Sequence, residues 1–398
     1  MKAGWSIERL GHAAKFVDYR GKTPPKTAEG IRLITAKNVK MGFVQRHPIE
    51  YIDPAAYNGW MTRGFPEYGD VLFTTEAPLG NVAQLDTREK VVIGQRLITL
   101  KTDVNRTDPT FLKYALLSPQ VQAEIHSRAT GATVQGIKAS LLKQVPIPLP
   151  PLEEQQRIVA VLDEAFEGLA RARAHAEANL KNAWELFDAA LRTYFTDGAS
   201  GWSTAHLKDV CLDFGRGKSK HRPRNDASLY GGEVPFVQTG DISKADHFIK
   251  EYSQTYSKRG LAQSKLWPRG TVCVAIVGAT IGESGILDFD ACFPDSVIGM
   301  TPHPKKGDAE YIEYLLQFFK AELKEAGKGS ARDNINLATF CDKRFPMPDV
   351  EIQREVAAKL NELSAETQQL AAHYASKLIN LKKLRQSLLA KAFAGELT

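Results

Sequence analysis

Pro146-Ile147-Pro148-Leu149-Pro150-Pro151-Leu152-Glu153-Glu154-Gln155-Gln156-Arg157-Ile158 returns late in the chain as Phe345-Pro346-Met347-Pro348-Asp349-Val350-Glu351-Ile352-Gln353-Arg354. In both passages prolines stand just ahead of a long run that contains none, the arrangement of a helix that tolerates proline in its first turn and not deeper. The run from Glu153 to Phe195 holds a single glycine, Gly168, in 43 residues; the run from Glu351 to Phe393 holds neither proline nor glycine. Each predicts one continuous helix of roughly 60 Å at 1.5 Å per residue. A buried stripe is expected on the first at Ile158, Leu162, Phe166, Leu169, Ala176, Leu180, Trp184, Phe187 and Leu191. On the second, Leu360, Leu363, Thr367, Leu370, Tyr374, Leu381, Leu384 and Leu388 are spaced by alternating threes and fours, with Lys377 breaking the pattern once, the spacing of a two-stranded coiled coil.

The two helices share one register. Gln155 and Gln353, Leu162 and Leu360, Leu186 and Leu384, and Phe195 and Phe393 are each separated by 198 positions. Outward from there, Trp5-Ser6 recurs as Trp202-Ser203, Arg20-Gly21-Lys22 as Arg216-Gly217-Lys218, and Gly69-Asp70-Val71-Leu72-Phe73 as Gly270-Thr271-Val272-Cys273-Val274. Gly80 matches Gly282, Gly131 matches Gly329 and Ile137 matches Ile335. A repeat of this length sets the architecture of the whole chain. The order is module, helix, module, helix: 1–150, 151–198, 199–348 and 349–398. The first module predicts strands at Arg32–Thr35, Val71–Thr74 and Val91–Ile93 and a helix from Pro109 to Ser127. The second predicts a strand at Thr271–Val277 and a helix from Ala309 to Ala326. The expected fold class is α+β: two mixed α/β modules separated by two long antiparallel coiled-coil helices, with an internal pseudo-two-fold repeat. Such a molecule suits a bipartite site on a duplex, whose halves share a face when their centres lie about 34 Å apart. A coiled coil that merely joins two domains is the plainer alternative.

Composition sets wide bounds. With 398 residues, 43% of them hydrophobic, the chain can bury a sizeable core. No stretch approaches the ~20 apolar residues of a membrane span, and the first residues lack the apolar heart of a signal peptide, so a cytoplasmic address is expected. Cys211, Cys273, Cys292 and Cys341 show no C-x-x-C spacing and read as apolar fillers, with neither a disulfide framework nor a zinc ribbon. The net charge of +6 permits an electrostatic term with nucleic acid without requiring it.

The paired helix starts, the I-P-x-P-P-x-x-E-Q-x-x-I pattern of the first, and the closing Leu388-Leu389-Ala390-Lys391-Ala392-Phe393-Ala394-Gly395-Glu396-Leu397 resemble the specificity subunits of type I restriction–modification enzymes. The second copy departs at Asp349 and Val350, in place of proline and leucine, and at Ile352 in place of glutamate. The resemblance covers essentially the whole chain. It implies that the modules are target recognition domains, each reading one half of a split sequence in double-stranded DNA. It implies too that the helices dock two methyltransferase subunits, which restriction subunits join. S-adenosylmethionine and adenine methylation would then belong to the partner, and this chain would hold no cofactor or metal.

The residues agree with a non-catalytic reader. A methyltransferase needs a Gly-rich cofactor loop and an Asn/Asp-Pro-Pro-aromatic segment, and Thr23-Pro24-Pro25-Lys26 lacks both amide and aromatic. Gly278-Ala279-Thr280-Ile281-Gly282 lacks the lysine and hydroxyl of a phosphate loop and reads as a tight turn. Asp70 and Asp288 have no paired spacing for magnesium. DNA contact calls for cations, amides and hydroxyls on loops. Three regions recur in both modules: Arg20, Lys22 and Lys26 with Arg216, Lys218, Lys220, Arg222 and Arg224; Lys37 and Asn38 with Gln238 and Thr239; Thr133 and Gln135 with Arg332 and Asn334. The rival readings are a stand-alone methyltransferase or nuclease, and a scaffold that gathers proteins without reading DNA.

Overall fold

A computed structural model describes residues 4–19, 24–131, 133–220, 223, 226–327, 335 and 337–397. The chain divides into two compact units, 1–177 with 375–398, and 178–374. Each unit therefore holds one module, part of the first long helix and part of the second.

In the first unit the strands are β1 (Ser6–Arg9), β2 (Ala14–Asp18), β3 (Ile31–Ile34), β4 (Glu50–Ile52), β5 (Val71–Thr74), β6 (Val82–Gln84), β7 (Val91–Ile93), β8 (Leu97–Thr102) and β9 (Pro146–Leu149). An antiparallel sheet runs β2-β8-β5-β6, a mixed sheet runs β4-β3-β7 with β3 and β7 parallel, and β1 pairs with β9. β5 is buried on both faces, which is why it reads as an unbroken apolar run. Val71 and Phe73 join the core shared with the helices, whereas Leu72 points to the smaller core of Ile34, Val91 and Ile93.

The second unit repeats this plan. Its strands are β10 (Thr204–Ala205), β11 (Cys211–Arg216), β12 (Tyr230–Phe236), β13 (Phe248–Ile249), β14 (Gln254–Tyr256), β15 (Val272–Ala275), β16 (Ser284–Leu287), β17 (Val297–Pro302) and β18 (Phe345–Pro346). The main sheet runs β11-β17-β15-β16-β13, the order of the first sheet with β13 added, and β10 pairs with β18 as β1 does with β9. Val272 and Val274 enter the larger core and Cys273 takes the place of Leu72 in the smaller one. All four cysteines are free thiols, with Cys273 and Cys292 buried.

The helix expected over Pro109–Ser127 is two helices, Pro109–Leu117 and Pro119–Ser127. Pro119 lacks an N–H and holds Ser118 in an extended conformation, so the ladder stops there and Ser118 caps the second helix. Its counterpart, without an internal proline, is continuous over Ala309–Gly327. The strand expected over Thr271–Val277 stops at Ala275, and Gly278–Thr280 forms the tight turn read from its sequence.

The long helices span Leu152–Arg192, followed by a wider turn at Thr193–Asp197, and Val350–Ala394. In the first unit Ile158 and Leu162, early in one helix, share a core with Leu389, Ala392 and Phe393, late in the other. In the second unit Leu191 and Phe195 share a core with Val356, Ala357 and Leu360, and Asn179 Nδ2 donates to Tyr374 Oη at 3.1 Å. The helices thus run antiparallel within each unit. Part of the expected stripe lies elsewhere: Trp184, Leu370 and Leu384 are exposed, while small residues Ala176, Ala183, Thr367 and Ala371 are buried. No helix among the described residues is long and apolar enough to cross a membrane.

Candidate nucleic-acid interface

The same hydrogen bonds build both modules. At the start of the first long helix, the buried Gln155 amide accepts from Asp108 N at 2.9 Å and donates to Arg106 O at 3.0 Å and Pro150 O at 2.8 Å. At the start of the second, Gln353 accepts from Asp308 N at 2.9 Å and donates to Lys306 O at 3.0 Å and Pro348 O at 2.8 Å. One amide in each copy satisfies three buried backbone groups that would otherwise lose their hydrogen bonds. Ser6 Oγ bonds Leu149 O at 3.0 Å as Ser203 Oγ bonds Met347 O at 2.6 Å. Farther into the modules, Thr75 N donates to Arg96 O at 2.9 Å and Ile137 N to Thr75 O at 2.9 Å. Ile276 N donates to Ser296 O at 3.0 Å and Ile335 N to Ile276 O at 3.0 Å, the same pair of links.

On this common frame the three expected contact regions fare differently. In the first, Lys218 and Lys220 are exposed, and Lys26 Nζ bonds Glu50 Oε1 at 2.8 Å. Arg216 is half-buried and turns its guanidinium inward, Nη2 lying 3.4 Å from Ile335 O. Between them Gly217 approaches so closely that a Cβ would stand 2.1 Å from Phe293 O, so the glycine of the Arg-Gly-Lys motif is imposed by packing. Arg20, Lys22, Arg222 and Arg224 lie outside the described residues.

The second region corrects the expectation for Asn38. Lys37 beside it is exposed, but Asn38 is only 1% exposed. Its Oδ1 accepts from Thr35 N at 3.0 Å and Thr35 Oγ1 at 3.1 Å, and its Nδ2 donates to Pro48 O at 2.9 Å. An amide spent on closing its own loop has nothing left to offer a base. The repeat match arises from that duty, because Asp241 Oδ2 accepts from Gln238 N at 2.8 Å in the corresponding turn. The half-buried Gln238 side chain donates to Gln254 Oε1 at 2.7 Å, and Thr239, also half-buried, opens a single helical turn.

In the third region Thr130 and Gly136 exchange backbone bonds of 2.8 and 2.9 Å, closing a turn that leaves Thr133 and Gln135 exposed. Gly131 has φ +109°, and a Cβ there would meet Val134 O at 2.2 Å, so only glycine fits. Arg332 and Asn334 lie outside the described residues. Behind the turn opens a polar cleft of about 410 Å³ lined by Thr75, Glu76, Gln95, Arg96, Thr130 and Lys138 among others. A second polar cleft of about 540 Å³ includes Arg32, Arg46, Tyr51, Asp86, Glu89 and Lys90.

The family described as type I restriction modification DNA specificity domain matches residues 62–177 and 199–378. This chain belongs to that family. The specificity subunit of the Escherichia coli type I restriction enzyme EcoBI is 22% identical over 402 residues, covering 93% of this chain and 81% of that one. In fold, the chain is similar to one from a study of complex assembly and conformational transition of the type I R-M system, with TM-score 0.80, 23% identity and coverage of 100% and 99%. It is also similar to the HsdS subunit of Thermoanaerobacter tengcongensis, with TM-score 0.64, 24% identity and coverage of 100% and 98%. As a type I specificity subunit, the chain serves DNA target recognition, the reading and not the reacting part of the system.

Within this specificity subunit, residue-by-residue reading missed Glu76, Gln95, Arg96 and Lys138, which the fold gathers around one cleft. A signal was present: Gln95-Arg96 precedes β8 where Asp295-Ser296 precedes β17, so the charge changes at a fixed place in the repeat. The module helices differ in the same manner. Burial lowers the Lys113 ammonium from its ordinary value of 10.5, with Asp163 opposing that shift and Arg385 adding to it. At the matching position Glu313 is buried and accepts from Ser284 Oγ at 2.8 Å and Gln317 Nε2 at 2.7 Å, with His247 Nδ1 2.6 Å away.

Proposed function

We propose that this specificity subunit reads a split DNA sequence, one half per module, inside a complex with two methyltransferase subunits seated on its long helices. Restriction subunits join that complex, and all of it works in the cytoplasm. S-adenosylmethionine and adenine methylation belong to the methyltransferase partners, and this chain holds no cofactor. The observation that carries the reading is the duplicated hydrogen-bonded frame with unlike loop chemistry: equal frames present equal surfaces to identical partners, and unlike loops meet unlike sequences. Leu186 and Leu384, at matching helix positions, are 52% and 48% exposed and supply an equivalent apolar contact in each unit. Lys37, Lys218 and Lys220 are exposed cations suited to phosphate, and the Thr133 and Gln135 side chains carry a donor and an acceptor each for base edges.

The test is methylome sequencing of a host that expresses the methyltransferase partner with and without this chain. A split adenine motif that vanishes with the chain supports the proposal; an unchanged methylome sinks it. A gel shift with random duplexes, with and without the partner, adds a second measurement. Indifference to DNA in both cases would favour a scaffold.

A further inference from the structure

We propose that Arg96, oriented by Glu76, is a base-reading residue of the first module and takes the major-groove edge of a guanine; the inference rests on the DNA-reading role proposed above. Arg96 closes the turn between β7 and β8 with φ +71°, a backbone conformation that costs a non-glycine residue energy and that persists where surroundings or function hold it. Its carbonyl is fixed, accepting from Thr75 N at 2.9 Å and Thr75 Oγ1 at 3.2 Å, so the backbone is anchored in the frame while the side chain remains 48% exposed at the cleft. Nε faces Glu76 Oε1 at 3.0 Å, and among the described residues neither Nη nitrogen has a partner. With Nε turned toward the Glu76 carboxylate, the guanidinium leaves its two Nη groups as a fork, the geometry that meets guanine O6 and N7 together.

The second module shows that this ion pair is not a requirement of the fold. There the links Ile276 N to Ser296 O and Ile335 N to Ile276 O reproduce the frame, while Val277 and Ser296 stand in place of Glu76 and Arg96. A pair that the frame can do without, placed on the rim of a polar cleft beside the Gly131 turn, is where two modules of one fold can differ in what they read. Glu76 also sets what enters. Its carboxylate repels phosphate from the part of the cleft beside it and leaves that place to a base edge, while exposed Lys138, which lines the same cleft, can take the backbone.

The experiment is methylome sequencing of hosts that carry the full complex with wild-type chain, Arg96→Gly or Arg96→Lys. Glycine accepts the left-handed backbone and removes the guanidinium; lysine keeps the charge and removes the fork. The expected result is that one base position in one half of the split motif loses selectivity by roughly ten- to a hundredfold in both variants, the size of a lost bidentate contact. The other half, read in the same sample, stays unchanged and reports an intact complex. Selectivity retained at every position in either variant overturns the inference and leaves the parent reading standing. Loss of all methylation in both variants also overturns it, since Arg96 would then be a structural part. A wild-type complex with no split motif defeats the parent reading, and this one with it.

Discussion

The two modules agree at the base of each unit and disagree at the cleft. Gln155 and Gln353 make the same three bonds at lengths that match, and Phe393 packs on Phe111 at 5.2 Å between ring centres as Phe195 packs on Tyr311 at 5.4 Å. By contrast Val277 and Ser296 stand in place of Glu76 and Arg96 at the cleft; away from the cleft one further exchange separates the copies, Lys113 for Glu313. Parts that must hold a helix against a module have one good solution, and duplication preserved it. On the function proposed above, parts that meet a sequence diverge so that the two copies read different halves.

The comparison can be broken most forcefully at the aromatic junctions. Phe393→Ala and Phe195→Ala should each lower the stability of their own unit by about 3–5 kcal/mol, because both rings are buried and the sites cannot collapse fully. Chemical denaturation monitored by circular dichroism measures this, and a large loss from one variant with none from the other would refute the equivalence of the units. Next in size, Gln155→Leu and Gln353→Leu should each cost about 2–3 kcal/mol, since leucine fills the space and leaves backbone groups buried without partners. Matching midpoint shifts are expected, and clearly unequal ones would show that the matching bonds do not carry matching weight.

Lys113 sharpens the contrast with Glu313. Its ammonium is held below the ordinary 10.5 by burial, so on raising the pH the native state releases the proton before the unfolded chain does. Stability of the first unit should therefore climb as pH rises toward 10.5, and Lys113→Met should remove that climb while raising stability at neutral pH. Urea midpoints between pH 7 and 10 decide it; a climb that survives the substitution belongs to another group.

The smallest effect concerns the thiols. Burial pushes Cys211 up to about 12, with Asp213 adding to the shift, and pushes the fully enclosed Cys273 higher still. Both should ignore a thiol-reactive dye at pH 8 until the unit unfolds. Above pH 9.0 the unfolded chain sheds these protons first, so stability should fall toward pH 12. Prompt labelling of Cys273 in the native chain would contradict its buried place in the smaller core of the second unit, the counterpart of Leu72 in the first.

Legibility followed the range of the forces involved. The long helices were open to reading because a run without proline has few other options, and the strands β5 and β15 because burial on both faces demands continuous apolar residues. The break at Ser118 is written in Pro119, a local signal that the helical periodicity on either side of it masks. Trp184, Leu370 and Leu384 keep the periodicity of a seam yet are exposed, while the small residues Ala176 and Ala371 are the buried ones, so spacing of large apolar residues alone did not locate the covered face. Among the candidate contacts, Asn38 proved a loop closer because burial depends on neighbours seven and ten residues away, Gln45 and Pro48, that its own residue type does not reveal.

The order of amino acids alone determined the duplication, the two rods and the class of molecule, because proline placement, apolar spacing and a constant offset of 198 are properties of the chain itself. Tertiary structure alone decided which polar groups are consumed within the protein and which remain for a partner. The physical reason is that each donor hydrogen and each acceptor lone pair can be used once: Asn38 closes its loop, Gln155 and Gln353 secure the helix starts, and the Nη groups of Arg96 have no partner among the described residues.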